Sequence, residues 1–192
     1  MRASVLELGS GVGYLALTLA SMGYDVVASD IEPVISTVLR PNVEDGLRVL
    51  RGSMGDVGDV RVVDLDWTVD DPIGLLLERG LGRGREISTI ISTDTIYHPP
   101  LIKPFFNTLA GLCRGGNASP VIILGIERRD SEMVDRALEV GMEMGFDLKR
   151  VGKGRVEKVV EKAGWGWKGG EGWEGVEIWR GRLRGTKGGT LT

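Results

Sequence analysis

The chain of 192 residues contains one cysteine, Cys113, and one histidine, His98. A single cysteine forms no internal bridge, and the two residues together cannot build a cysteine/histidine zinc site. Cys113 ends an apolar stretch of helical period and is expected in the core. His98 stands before two prolines and reads as a solvated loop residue rather than a general base. No apolar run approaches the roughly 18 to 20 residues of a membrane span, and the first residues lack the pattern of a signal peptide. Positive charge is not in excess either. A formal charge of −3 and a pI near 5.3 give no overall electrostatic case for nucleic acid or an anionic membrane. These absences predict a reducing compartment, the cytosol or the nucleus, with no nucleic-acid or membrane partner; a monomer is expected.

Glycine is what the chain has in excess: 30 residues, where average usage near 7% predicts about 13. Twelve lie between Gly152 and Gly189, in a stretch that also holds Trp165, Trp167, Trp173 and Trp179. Glycine costs entropy in helices and strands alike. Residues 152–175 are therefore expected to form a loop-rich excursion that closes on a last strand.

Elsewhere, short runs rich in β-branched residues alternate with stretches of helical period, the signature of βαβ units. Strands are predicted at Ser4–Leu8, Asp25–Ser29, Val60–Asp64, Ile87–Ser92, Val121–Ile126, Phe146–Val151 and Val176–Leu183. Helices are predicted at Gly11–Met22, Pro33–Glu44, Pro72–Glu78, Leu101–Cys113 and Glu132–Met144, the last capped by Asp130 or Ser131. With 42% hydrophobic residues, residues 1–192 read as one domain. Only the excursion separates the last two strands, which predicts a closing antiparallel hairpin. The expected class is α/β, a Rossmann-like sheet that is mostly parallel with an antiparallel carboxyl-terminal hairpin. This architecture resembles that of the class I, seven-strand methyltransferases.

The sharpest motif is Val5-Leu6-Glu7-Leu8-Gly9-Ser10-Gly11-Val12-Gly13-Tyr14, where a strand gives way to a helix. In doubly wound sheets that edge binds ligands. A phosphate-cradling P-loop requires Lys and then Ser or Thr after its glycines, and Tyr14 and Leu15 stand there instead. A dinucleotide loop prefers G-x-G-x-x-G, whereas the spacing here is Gly9-x-Gly11-x-Gly13. Glu7, two places before the first glycine, repels a pyrophosphate and suits a cation. S-adenosylmethionine carries a sulfonium and an ammonium and no phosphate, so the loop reads as a binder of that cofactor. Asp30 ends the second strand, where a carboxylate accepts from both hydroxyls of a ribose or, alternatively, caps the following helix. Asp64-Leu65-Asp66-Trp67 follows the third strand, with an acid and an indole able to receive an adenine. Trp67 is equally readable as core.

After the fourth strand comes Thr93-Asp94-Thr95-Ile96-Tyr97-His98-Pro99-Pro100-Leu101. Together "LELGSGVG", "DLDW", "DTIYHPPL" and "IERRD" at Ile126–Asp130 resemble the seven-strand protein-lysine methyltransferases of the methyltransferase-like group. The resemblance runs from about Ser4 to Val151 and returns weakly at "VEIWR". It implies methyl transfer from S-adenosylmethionine to a lysine of a protein substrate. It also implies cofactor contacts from Glu7, Gly9, Ser10, Gly11, Gly13, Asp30, Ile31, Asp66, Trp67, Thr93 and Asp94. Asp94 and Tyr97 are the implied catalytic pair, Asp94 orienting the amine and Tyr97 walling its channel; capping and packing roles are the alternatives. Glu127 and Arg128 are expected on the same edge, facing the substrate or paired with each other. The family normally carries an amino-terminal segment before the first strand, and this chain starts almost directly on that strand. The competing expectations are a small-molecule methyltransferase and a non-catalytic binding module of the same fold. A dinucleotide oxidoreductase is opposed by Glu7 and the glycine spacing.

Overall fold

The computed structural model describes residues 2–74, 87–115, 119–164 and 175–185. Seven strands form one sheet: β1 (Ser4–Leu8), β2 (Asp25–Asp30), β3 (Val60–Asp64), β4 (Ile87–Thr93), β5 (Val121–Glu127), β6 (Phe146–Arg150) and β7 (Val176–Leu183). Their order is β3-β2-β1-β4-β5-β7-β6. The first five pair in parallel, while β7 lies antiparallel between β5 and β6. All seven strands match their predicted positions to within one residue.

Helices cover both faces. On one face, α1 (Tyr14–Ser21) and α2 (Arg40–Met54) pack over β2 and β3 through Ala16, Ala20, Val43 and Leu47. A five-residue π-helical segment, Ile35–Leu39, leads into α2 and buries Ile35 and Leu39 in the same cluster. Helix α2 runs ten residues beyond the predicted end at Glu44, through Gly46. A β-carbon at Gly46 would stand 2.5 Å from Leu17 Cδ1, so the glycine is where α1 and α2 approach each other. On the other face, α3 (Pro99–Arg114) and α4 (Ser131–Glu143) enclose the larger core. Phe105, Phe106 and Phe146 are almost wholly buried there, each worth about 1.5 to 3 kcal/mol of apolar transfer. Cys113 is buried in this cluster, as predicted. Asp130 caps α4, its Oδ1 accepting from the Met133 amide at 3.0 Å.

The expected helix-free excursion is corrected by α5 (Lys153–Lys162), which stands between β6 and β7. Its sequence, KGRVEKVVEK, places strong helix formers after Gly152 and Gly154, and those glycines occupy only the cap and first turn. Trp165, Trp167 and Trp173 lie outside the described residues, as do residues 75–78 of the predicted Pro72–Glu78 helix; residues 72–74 are helical.

Candidate active site

Parallel pairing brings the carboxyl ends of β1 to β4 to one edge, with Leu8 level with Ser29 and Ser92, and Asp30 level with Asp64. The glycine loop crosses this edge. Gly9, Gly11 and Gly13 all have positive φ, +72°, +52° and +82°, a conformation that costs any residue with a β-carbon about 1 to 2 kcal/mol. The Ser10 amide donates to Ser29 O and the Gly13 amide to Ser10 O, both at 2.8 Å. Asp30 latches the loop from the neighbouring strand: Oδ2 accepts from the Gly11 amide at 2.7 Å and Oδ1 from the Ile31 amide at 2.9 Å.

The glycines differ in what surrounds them. A β-carbon at Gly9 would stand 2.6 Å from Thr95 Cγ2 and 3.6 Å from the Trp67 ring, so two sequence-distant segments converge on this residue. At Gly13 it would press on Leu39 and Val43, and at Gly11 it would meet nothing within 4 Å. Gly9→Ala is therefore expected to destabilise by more than about 2 kcal/mol, through strain and clash together. Gly11→Ala should cost about 1 kcal/mol, from its backbone alone. Thermal unfolding of the two variants compares them, and equal shifts would refute the assigned clash.

Beneath the loop sits Glu7, 2% exposed. Burial pushes its carboxyl up to about 7; the nearby Ser10 hydroxyl opposes the shift, the Asp30 charge adds to it, and the Ala16 amide opposes it. Glu7 Oε2 and Ser10 Oγ nevertheless complete no hydrogen bond. Trp67 Nε1 has no partner either, although its ring packs edge-on against Phe105 at 5.2 Å between centroids. These are three of the five such buried side-chain atoms among the described residues. A buried polar atom left unpaired costs about 1 to 3 kcal/mol. Their concentration around one loop fits a polar, cation-bearing ligand at this edge.

The remaining predicted residues are placed less uniformly. Asp66 turns to Thr68, whose amide and hydroxyl donate to its Oδ1 at 2.8 and 2.6 Å. Ile31 is 44% exposed and Tyr97 62% exposed. Thr93 is exposed at the end of β4. Asp94 is the one described residue other than glycine with positive φ, +53°. Its amide donates to Gly125 O at 2.9 Å, and its carboxylate accepts from Arg129 Nη2 at 2.9 Å. The same guanidinium reaches Glu127 at 2.6 Å, so one cation sits between two carboxylates at the ends of β4 and β5. His98, with extended backbone, is the residue before α3.

Arg128 corrects the expectation of an edge pair with Glu127. It turns inward, bridging Glu177 and Asp135 at 2.8 Å each. Glu177 is 5% exposed; burial alone would raise its pKa, but Arg128 and the Trp179 indole N–H, 2.8 Å away, hold it below the usual range. Arg128 thus ties β5 to β7 and α4. Arg129 was missed by the sequence reading. Strand alternation stops at Glu127, where β5 ends; the Arg129 amide donates to Glu127 O at 2.9 Å, and this turn, which the strand period does not give, brings the guanidinium back to the Glu127 carboxylate.

A sheet of this order with a glycine turn at the end of β1 is the fold of a class I methyltransferase. Solved structures agree. The glycopeptide N-methyltransferase MtfA superposes with a TM-score of 0.61 at 10% identity, covering 96% of this chain and 90% of that one. Precorrin-6y C5,15-methyltransferase from Geobacter metallireducens gives 0.55 at 12% identity, covering 94% and 80%. Magnesium protoporphyrin IX methyltransferase from Synechocystis, solved with bound SAM, gives 0.52 at 16%, covering 95% and 71%. A family model described as lysine methyltransferase matches residues 1–136, and the chain belongs to that family. Among curated proteins, methyltransferase-like protein 22 of Mus musculus is 26% identical over 165 residues, 82% of this chain and 41% of that protein. The chain thus spans less than half the length of this relative.

Proposed function

We propose that the chain transfers a methyl group from S-adenosylmethionine to a lysine side chain of a protein. The observation that carries the cofactor is the left-handed glycine loop closed over Glu7, a buried acid with an unpartnered oxygen. Membership of the lysine methyltransferase family supports the acceptor. Glu7, Ser10, the loop backbone, Asp30 and Trp67 are the residues that would hold the cofactor. When bound, it supplies a methyl group already activated by a sulfonium. Among the described residues no helix is long and apolar enough to cross a membrane, and no group of acids, His and Cys is arranged to hold a metal ion.

The chain's own part is mostly positioning. A lysine near pKa 10.4 attacks only when neutral, and a neighbouring sulfonium lowers that pKa. Asp94 accepts a hydrogen bond from the arriving amine and aims its lone pair. The exposed Tyr97, three residues on, offers a ring face to the cation before it releases its proton to solvent.

Calorimetric titration with S-adenosylhomocysteine, with NAD as control, tests the cofactor. Transfer of labelled methyl to lysine, located by mass spectrometry, tests the acceptor. Binding of NAD alone, or label on a small molecule rather than on protein, would overturn the respective half. Asp30→Ala should weaken S-adenosylhomocysteine binding by roughly 10- to 150-fold, since it removes hydrogen bonds to a charged group worth about 1.5 to 3 kcal/mol. Unchanged affinity removes Asp30 from the site.

A further inference from the structure

Among the described residues the α1/α2 face of the sheet is covered unevenly. Glu7, Ile91, Ile123, Arg180 and Lys149 are level across β1, β4, β5, β7 and β6 and share that face. Helices α1 and α2 pack over β2 and β3, at the other end of the strand order. Over β5, β7 and β6 the same face opens into a cavity of about 390 Å3. Among the described residues its charged lining is Lys149, Arg150, Arg155, Arg180, Arg182 and a single acid, Asp147. Residues 146–185 carry ten Lys and Arg against six Asp and Glu, a local charge of +4 in a chain of −3.

Among the described residues internal pairing neutralises little of this. Asp147 lies 3.5 Å from Lys149 and 3.7 Å from Arg184, and one acid cannot balance both. Arg150 reaches Glu177, and Arg182 donates to Ser119 O. Arg155 and Arg180 are exposed and make no ion pair among the described residues. Four of the five cations are arginines, whose planar forks match carboxylates in two-point contacts. Among the described residues no aromatic ring lines the cavity to stack a nucleobase, as single-stranded nucleic-acid sites require.

We propose that this cavity is a docking site for an acidic segment of the protein acceptor. The inference rests on the protein-acceptor reading above. β6 is three strand spacings from β4, roughly 14 Å at about 4.8 Å each, and the Ile123/Arg180 level lies two residues, roughly 7 Å, back along the strands from the Thr93/Gly125 level at the end of β4. An extended chain covers the diagonal, roughly 16 Å, in about five residues or more. Acceptors should therefore carry Asp or Glu in a run beginning at least that far from the methylated lysine. The cavity supplies affinity for the acceptor without touching the transferred group.

The test uses the whole chain and fluorescein-labelled octaglutamate, read by anisotropy at low salt, with a Gly-Ser peptide of equal length and a single-stranded DNA oligonucleotide as comparisons. Octaglutamate is expected to bind, to weaken as salt rises, and to lose at least about tenfold in affinity in the double variant Arg155→Glu/Arg180→Glu. Thermal unfolding verifies that the variant folds. Octaglutamate no tighter than Gly-Ser, undiminished binding in the variant, or DNA tighter than octaglutamate and lost in the variant would each overturn the proposal. Neither cofactor nor transfer enters the readout, so a failure here is distinct from a failure of the methyltransferase reading.

Discussion

Asp94→Asn is expected to cut kcat/KM for the acceptor lysine by about 100-fold while leaving S-adenosylhomocysteine affinity within about twofold. Asparagine is the informative replacement because Asp94 has φ +53°, a conformation asparagine tolerates and alanine does not. Its amide hydrogen bond to Gly125 O survives, so β4 and β5 stay aligned. What changes is the charge that receives the amine. Arg129 makes the assignment testable from a second side, since it occupies the space between Asp94 and Glu127 that an incoming ammonium would favour. Transfer retained in Asp94→Asn with cofactor affinity lost would reverse the roles, placing Asp94 on the cofactor rather than on the amine.

The sheet was legible because its strands are short, β-branched and separated by helical periods, and parallel pairing then sends the ends of β1 to β4 to one edge whatever the intervening loops do. That logic located the glycine loop, Asp30, Trp67 and Asp94 on a common edge. It did not resolve partners within the edge. Asp66 turns to Thr68, a local contact that competes with any ligand role and depends on the exact turn. Arg128 turns inward because Glu177, distant in sequence, reaches it from β7. Helix α5 was hidden by composition: a glycine count over residues 152–175 averages a cap and a helix into one irregular segment. The position of β7 between β5 and β6 is a long-range pairing with no local signature.

Glu7 should make both stability and ligand binding depend on pH, with opposite signs. Its carboxyl stands at about 7 in the folded chain against an ordinary 4.5. Between those values the folded state keeps a proton that the unfolded chain has released. The favourable contribution of the neutral acid is therefore complete below pH 4.5 and lost as pH rises through 7. A shift of this size corresponds to about 3 kcal/mol, so at pH 8 Glu7→Gln should be the more stable protein by several degrees in Tm, and near pH 4 the two should melt alike. A cationic ligand reverses the preference, because only the ionised carboxylate attracts it. Affinity of the wild-type chain for S-adenosylmethionine should fall by up to about tenfold per pH unit below 7, with proton uptake by the protein on ligand release. In Glu7→Gln the affinity should be weaker at pH 8 and flat with pH. Calorimetry in buffers of different ionisation enthalpy measures the proton directly, and melting curves from pH 4 to 8 measure the stability. A wild-type affinity that ignores pH, alongside the expected melting difference, would leave Glu7 a strained core acid under the loop and remove it from the cofactor site.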